Sequence, residues 1–167
     1  MTDWWKGYPI LLTPSRKKPK RGDVFAMKMP TKGYAFGLVV ADGLSYGPVG
    51  RMLLVYYYDF ANTIPEVDCT ALTLEHLGGP PELTAAPAWT AGVFMTIGQC
   101  PTDRLELLPV HCFRRGNVAP DGSETYCDEF GDTLEEPYEP CGHWSVSTAA
   151  SIWLRAALAV GERPPGP

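Results

Sequence analysis

Between positions 21 and 60 the chain reads RGDVFAMKMPTKGYAFGLVVADGLSYGPVGRMLLVYYYDF. Three short apolar runs, at 24–29, 34–41 and 52–60, are cut apart by Pro, Gly and Asp. Each is rich in Val, Phe, Tyr and Leu, which predicts consecutive β-strands. In the first, Phe25, Met27 and Met29 share one face while Val24, Ala26 and Lys28 share the other. The second carries apolar residues on both faces between Phe36 and Val40, as expected of a central strand. In the third, Leu53, Val55 and Tyr57 alternate with Leu54, Tyr56 and Tyr58. Pro30-Thr31-Lys32-Gly33 and Asp42-Gly43 read as turns.

The remainder is less regular. Residues 61–70 form a polar connection, and 71–77 a short strand or a turn of helix. Pro80, Pro81 and Pro87 make 78–87 a loop. Residues 89–97 and 104–113 read as further strands, and 116–122 as a turn that pairs 124–130 into a hairpin. The C-terminus changes period: Ala149, Ile152, Trp153, Ala156 and Val160 recur at spacings of three and four, which predicts an amphipathic helix. Ser145 or Ser147 would cap it, and Gly161 followed by prolines would end it. The expected fold is mainly β (α+β), a small SH3-like or curled β-barrel or sheet with one C-terminal α-helix. Its organisation is a basic and aromatic arm at 1–19, where Trp4, Trp5 and Tyr8 could tether the chain, a single domain at 20–160, and a Pro/Gly-rich tail at 161–167.

Charge is unevenly distributed. Residues 1–32 hold eight Lys/Arg against two Asp, and residues 33–167 hold six against seventeen. The stretch 121–139 has eight acids and no base. An acidic body disfavours nucleic acid and favours basic protein partners. The basic run 15–21 (SRKKPKR) reads as a solvated tail. No apolar stretch is long enough for a membrane span or a signal-peptide core, so the expected location is cytoplasmic. The five cysteines, odd in number and scattered, read mostly as reduced, small apolar residues rather than a disulfide framework.

No catalytic or phosphate-binding motif is present. His111, Cys112, Cys127, Cys141 and His143 are the best metal-ligand set, because zinc takes thiolate and imidazole. They lack a Cys-x-x-Cys pair, which favours a structural reading and no metal or cofactor. A Cys–His nucleophile from the same residues is weaker, since Asp128 and Glu129 beside Cys127 disfavour a thiolate. Tyr56, Tyr57 and Tyr58 must alternate across a strand and cannot form one ligand-binding stripe.

The chain resembles the immunity protein 26 family of bacterial polymorphic-toxin systems. The likeness runs through Gly22-Asp23-Val24-Phe25-Ala26, Tyr34-Ala35-Phe36-Gly37-Leu38-Val39, Tyr58-Asp59-Phe60, Trp89 with Gly92 and Phe94, Tyr126 to Gly131, and the closing helix, over roughly residues 20–159. The resemblance implies a non-enzymatic inhibitor that binds a cognate toxin encoded by a neighbouring gene. Charge points to a basic nuclease domain as that toxin. Asp121, Glu124, Asp128, Glu129, Asp132, Glu135 and Glu136 would then steer the toxin, and Tyr57 and Trp89 would anchor it. A second resemblance, through Gly22 to Phe25 and Arg51 to Val55, is to the MazF/PemK-type barrel endoribonucleases, with Arg51 as a catalytic or phosphate-binding residue. A protein-interaction module without a toxin is the third reading.

Overall fold

A computed structural model describes residues 8–163. Trp4 and Trp5 of the arm, and the last four residues of the tail, lie outside the described residues. Strands β1 (Asp23–Lys28), β2 (Tyr34–Ser45) and β3 (Arg51–Asn62) form an antiparallel meander. A strand that is apolar on both faces needs a layer on each side, and both layers are present. β4 (Glu82–Thr84) pairs with β3 and β5 (Met95–Gln99) pairs with β1, giving a five-stranded antiparallel sheet in the order β4-β3-β2-β1-β5. A second, four-stranded sheet contains β6 (Cys112–Val118), β7 (Glu124–Cys127), β8 (Thr133–Leu134) and β9 (Cys141–His143) in the order β8-β7-β6-β9. Helix α1 (Pro87–Thr90) is a single turn, and α2 (Ala149–Ala159) is the C-terminal helix. The two sheets do not close into a barrel.

The alternation read from the sequence sorts the core into two layers. Phe25, Met27, Val39, Val55 and Tyr57 pack with Trp89 and Phe94, and with Ile152, Trp153, Ala156 and Ala157 of α2. Val24, Ala26, Phe36, Leu38, Leu54, Tyr56 and Tyr58 pack on the other face, against Phe113 and Cys127 of the second sheet. Each large apolar side chain buried this way contributes about 2 kcal/mol. Gly37 sits in β2 where the Phe25 ring crosses it. A Cβ there would lie 2.1 Å from the ring. That ring cannot swing aside, because it stacks on Phe94 at 4.5 Å and meets Trp89 edge-on at 5.3 Å.

The C-terminus is latched at several points. Thr148, not Ser145 or Ser147, caps α2, its hydroxyl accepting from the Ser151 amide. Trp153 donates to the Lys28 carbonyl, and Tyr8 stacks on its ring at 5.2 Å. Glu82 on β4 holds Arg155 at 2.6 Å. Beyond Gly161, whose φ is +89°, the buried Glu162 carboxylate accepts from the Thr31 amide and hydroxyl and from the Lys32 amide at 2.7–2.8 Å. These three bonds secure the β1–β2 turn.

Several local expectations are corrected. Residues 89–97 are not one strand: Pro87 opens the α1 turn, as proline at a first helical position does, and pairing begins only at Met95. Residues 104–111 are coil apart from a 3₁₀ turn, and the strand starts at Cys112. Asp42-Gly43 does not reverse the chain. Gly43 takes φ +66° where the register slips, and β2 runs on to Ser45 before a 3₁₀ turn at Gly47–Val49. The proline-bounded segment 78–87 contains β4, an edge strand. Cys69 and Cys100 are not reduced but disulfide-bonded, with Cα atoms 5.8 Å apart, tying the β3–β4 connection to the end of β5. The partners stand 31 residues apart, so local spacing carries no trace of them.

Gly37→Ala is expected to cost about 3 kcal/mol through overpacking against Phe25. Gly98→Ala, where a Cβ meets nothing within 4 Å, should stay within about 0.5 kcal/mol. Urea denaturation of the two variants checks this, and equal costs would contradict the packing described.

Candidate functional site

The acidic stretch folds into the second sheet and the segment that follows it. Its most prominent feature is the turn between β7 and β8, residues 128–132. Asp128 shapes this turn: its carboxylate accepts from the Phe130 and Asp132 amides, both at 2.9 Å. Gly131 supplies the φ of +85° that the reversal requires and lies on Trp144, where a Cβ would stand 3.2 Å from the indole. Arg115 donates to the Gly131 carbonyl and, at 3.1 Å, to the Thr133 hydroxyl. Trp144 is itself wedged against Tyr46 and Phe113. A mostly polar turn is thus fixed from below by aromatic packing. At its tip Phe130 is 67% exposed.

Glu129 turns inward from the same tip. Its carboxylate is 3.1 Å from His111 Nδ1, and His111 Nε2 is 2.6 Å from the Tyr56 hydroxyl. The Tyr56 oxygen accepts in turn from the Leu108 amide at 3.0 Å. One proton arrangement satisfies every partner: Tyr56 O–H donates to Nε2, and Nδ1–H donates to Glu129. Burial alone would raise the Glu129 carboxyl, but the hydrogen bond from His111, joined by one from the Glu129 backbone, outweighs it and holds the group below its usual range. Burial likewise pushes the Tyr56 phenol up to about 12, against the bond from Leu108. Tyr56 and His111 are buried in the core, 1% and 8% exposed. The relay therefore fastens the acidic turn to β3, an interior strand of the main sheet.

The other acids read as partner-binding divide by what they already hold. Asp121, at the β6–β7 turn, accepts from the Ser123 hydroxyl and amide, which lower its carboxyl. Glu124 faces Arg114 at 3.4 Å and accepts from the Tyr126 hydroxyl. Asp132, Glu135 and Glu136 are exposed and make no ion pair among the described residues. Glu136, aided by slight desolvation and then Glu135, pushes up the exposed Tyr138 phenol nearby. Tyr57 and Trp89 are core residues, 2% and 1% exposed, packed in the layer beneath α2. Phe130 and Tyr138 are the most exposed aromatic side chains among the acids. Sequence reading passed over both, since a lone aromatic in a polar segment carries no periodicity.

The His/Cys set does not converge. His111 is engaged in the relay, and Cys127 pairs in register with Phe113, one residue beyond Cys112. Among the described residues no three His, Cys, Asp or Glu side chains are grouped to hold a metal ion. Arg51 opens β3 and, with Lys18, Lys20 and Asp42, lines a cavity of about 430 Å³. No helix among the described residues is long and apolar enough to cross a membrane.

A five-stranded sheet buried on both faces, with a second sheet packed on one face and projecting an acidic turn, defines a β-rich scaffold that presents a charged surface. A family model described as Immunity protein 26 matches residues 20–121, and the chain belongs to that family. An immunity function, and with it the binding of a cognate toxin, goes with that membership. No curated protein and no solved structure matches the chain. The matched span runs from the start of β1 to the β6–β7 turn, so the turn at 128–132 lies beyond it.

His111→Ala is expected to lower unfolding free energy by about 2–3 kcal/mol, because it leaves a half-buried carboxylate without its donor. A carboxyl whose folded value is lowered contributes stability above its ordinary range and loses it as pH falls through the lowered value. The stability gap between wild type and Glu129→Gln should therefore narrow in acid. Denaturant midpoints across pH check both, and a gap independent of pH would remove Glu129 from the relay.

Proposed function

We propose that the protein neutralises a basic toxin domain, of the nuclease kind, by covering its active surface with the acidic turn and the segment that follows. The observation that carries this reading is an exposed Phe130 set among acids that the fold does not neutralise, Asp132, Glu135 and Glu136. Nuclease surfaces are basic because they hold phosphates, so negative charge steers such a partner and raises its association rate. Buried aromatic anchors then set the dissociation rate. Phe130 and Tyr138 fill that role at the surface, while Tyr57 and Trp89 act indirectly by holding the sheet.

The seven acids contribute unequally in this scheme. Asp128 and Glu129 build and fasten the turn, and Asp132, Glu135 and Glu136 meet the partner. Asp121 and Glu124, at the far end of β7 and already engaged, add long-range field. Inhibition by occlusion needs no catalysis, nucleic acid or membrane, and the toxin gene lies next to this one. The site of action is the cytoplasm, where the toxin's nucleic-acid substrate is.

The triple variant Asp132→Lys/Glu135→Lys/Glu136→Lys is expected to slow association with the neighbouring toxin's C-terminal domain by about 10–100-fold at low salt. Phe130→Ala should instead raise the dissociation rate by about tenfold or more. Neither should move the thermal midpoint by more than a degree or two. Surface plasmon resonance against the toxin domain reads both rates, and unchanged kinetics in both variants would place the interface elsewhere.

A further inference from the structure

Cys112 and Cys141 are register partners on the parallel neighbours β6 and β9. Residues directly opposite one another share a face of the sheet, and their Cα atoms stand about 5 Å apart, inside the span a disulfide bridges. The two sulfurs lie 2.8 Å apart, short even for a thiol–thiol hydrogen bond. Cys127 is excluded as a partner by the pleat: it pairs with Phe113, so its side chain lies on the face opposite Cys112. Cys112 is fully buried, whereas Cys141 is half-buried and lines a cavity of about 320 Å³ with Pro80, Glu82, His143 and Arg155. One sulfur is therefore reachable and the other is positioned behind it.

We propose that Cys112 and Cys141 form a dithiol site that a low-molecular-weight disulfide oxidises to a second intramolecular disulfide. Cys141, as thiolate, attacks one sulfur of the small disulfide and expels the other as thiolate, leaving a mixed disulfide. Cys112 then attacks the Cys141 sulfur and releases the second half of the reagent. The protons of the two protein thiols pass to the two departing thiolates. Two protein thiols are oxidised, one small disulfide is reduced to two thiols, and no other reactant is needed. The first step is slow at neutral pH, because burial and the adjoining Cys112 push the Cys141 thiol up to about 12. It accelerates in mild alkali and reverses under a dithiol reductant.

The bond would clamp β9 to β6. β9 is an edge strand of the sheet bearing the acidic turn, and it abuts the main sheet where a Cβ on Gly142 would stand 2.6 Å from the Pro81 carbonyl. The clamp closes a loop of 29 residues that includes β7, β8 and the turn between them. The inference concerns the protein alone and stands whether or not the toxin-binding surface is as proposed.

The test is a peptide map of the full chain with its Cys69–Cys100 bond intact, incubated with oxidised glutathione in mild alkali, and alkylated before digestion. The expected result is a peptide pair joined through Cys112 and Cys141, with Cys127 alkylated only after unfolding. The thermal midpoint should rise by roughly 5–10 °C and fall back with reductant. Cys141→Ser should abolish this shift. Should that variant fold poorly, the map on the wild-type chain still decides. A lasting glutathione adduct on Cys141 with Cys112 free, or a Cys112–Cys127 link, would overturn the proposal.

Discussion

The structure depends on one strand being buried on both faces. β3 places Tyr57 toward the helix layer and Tyr56 and Tyr58 toward the second sheet. Three successive tyrosines are costly to bury unless their hydroxyls are accommodated. Tyr56 solves this by joining the relay to His111 and Glu129. Tyr57 lies against Gly78 and Gly79, neither of which leaves room for a Cβ beside its ring or hydroxyl. The glycine pair ending the β3–β4 connection is thus the space the Tyr57 ring occupies, and the second sheet is docked by the strand's opposite face.

The meander and its two faces were legible in the sequence because alternation survives wherever both layers are apolar. Phe25 and Met27 against Val24 and Ala26 fall as the pattern requires. The C-terminal helix was equally legible, since Ile152, Trp153 and Ala156 hold a helical period and form its buried stripe. The region between was not. Trp89 and Phe94 look like strand residues, yet Pro87 and Gly92, the latter at φ +79°, bend their backbone into a turn. β8 and β9 are two and three residues long, too short for any period to register. Pairings between distant cysteines leave no local pattern, so both the Cys69–Cys100 bond and the Cys112–Cys141 neighbourhood emerge only in three dimensions.

For the candidate site, composition located the charge but not its division of labour. The run 121–139 was conspicuous as acid without base, yet nothing in its order separates Asp128, which shapes a turn, from Asp132, which faces solvent. In sequence His111 stood out only as a candidate metal ligand, because its actual partners lie 55 residues before it and 18 after. Charge density is a property of composition. Whether a given charge is available to a partner depends on which backbone amides and side chains have already claimed it.

The C-terminal latch has a consequence for how the chain is made. The apolar face carrying Phe25, Val55 and Tyr57 is built from β1 and β3, but α2, which covers it, follows every strand in the chain. Until α2 is made, that face is covered only by Trp89, Val93 and Phe94, and until β5 is made β1 has an unpaired edge. The latch over the main sheet closes only when Trp153 and Glu162 reach Lys28, Thr31 and Lys32. A nascent chain of this kind has its greatest need of a ribosome-bound chaperone before α2 emerges.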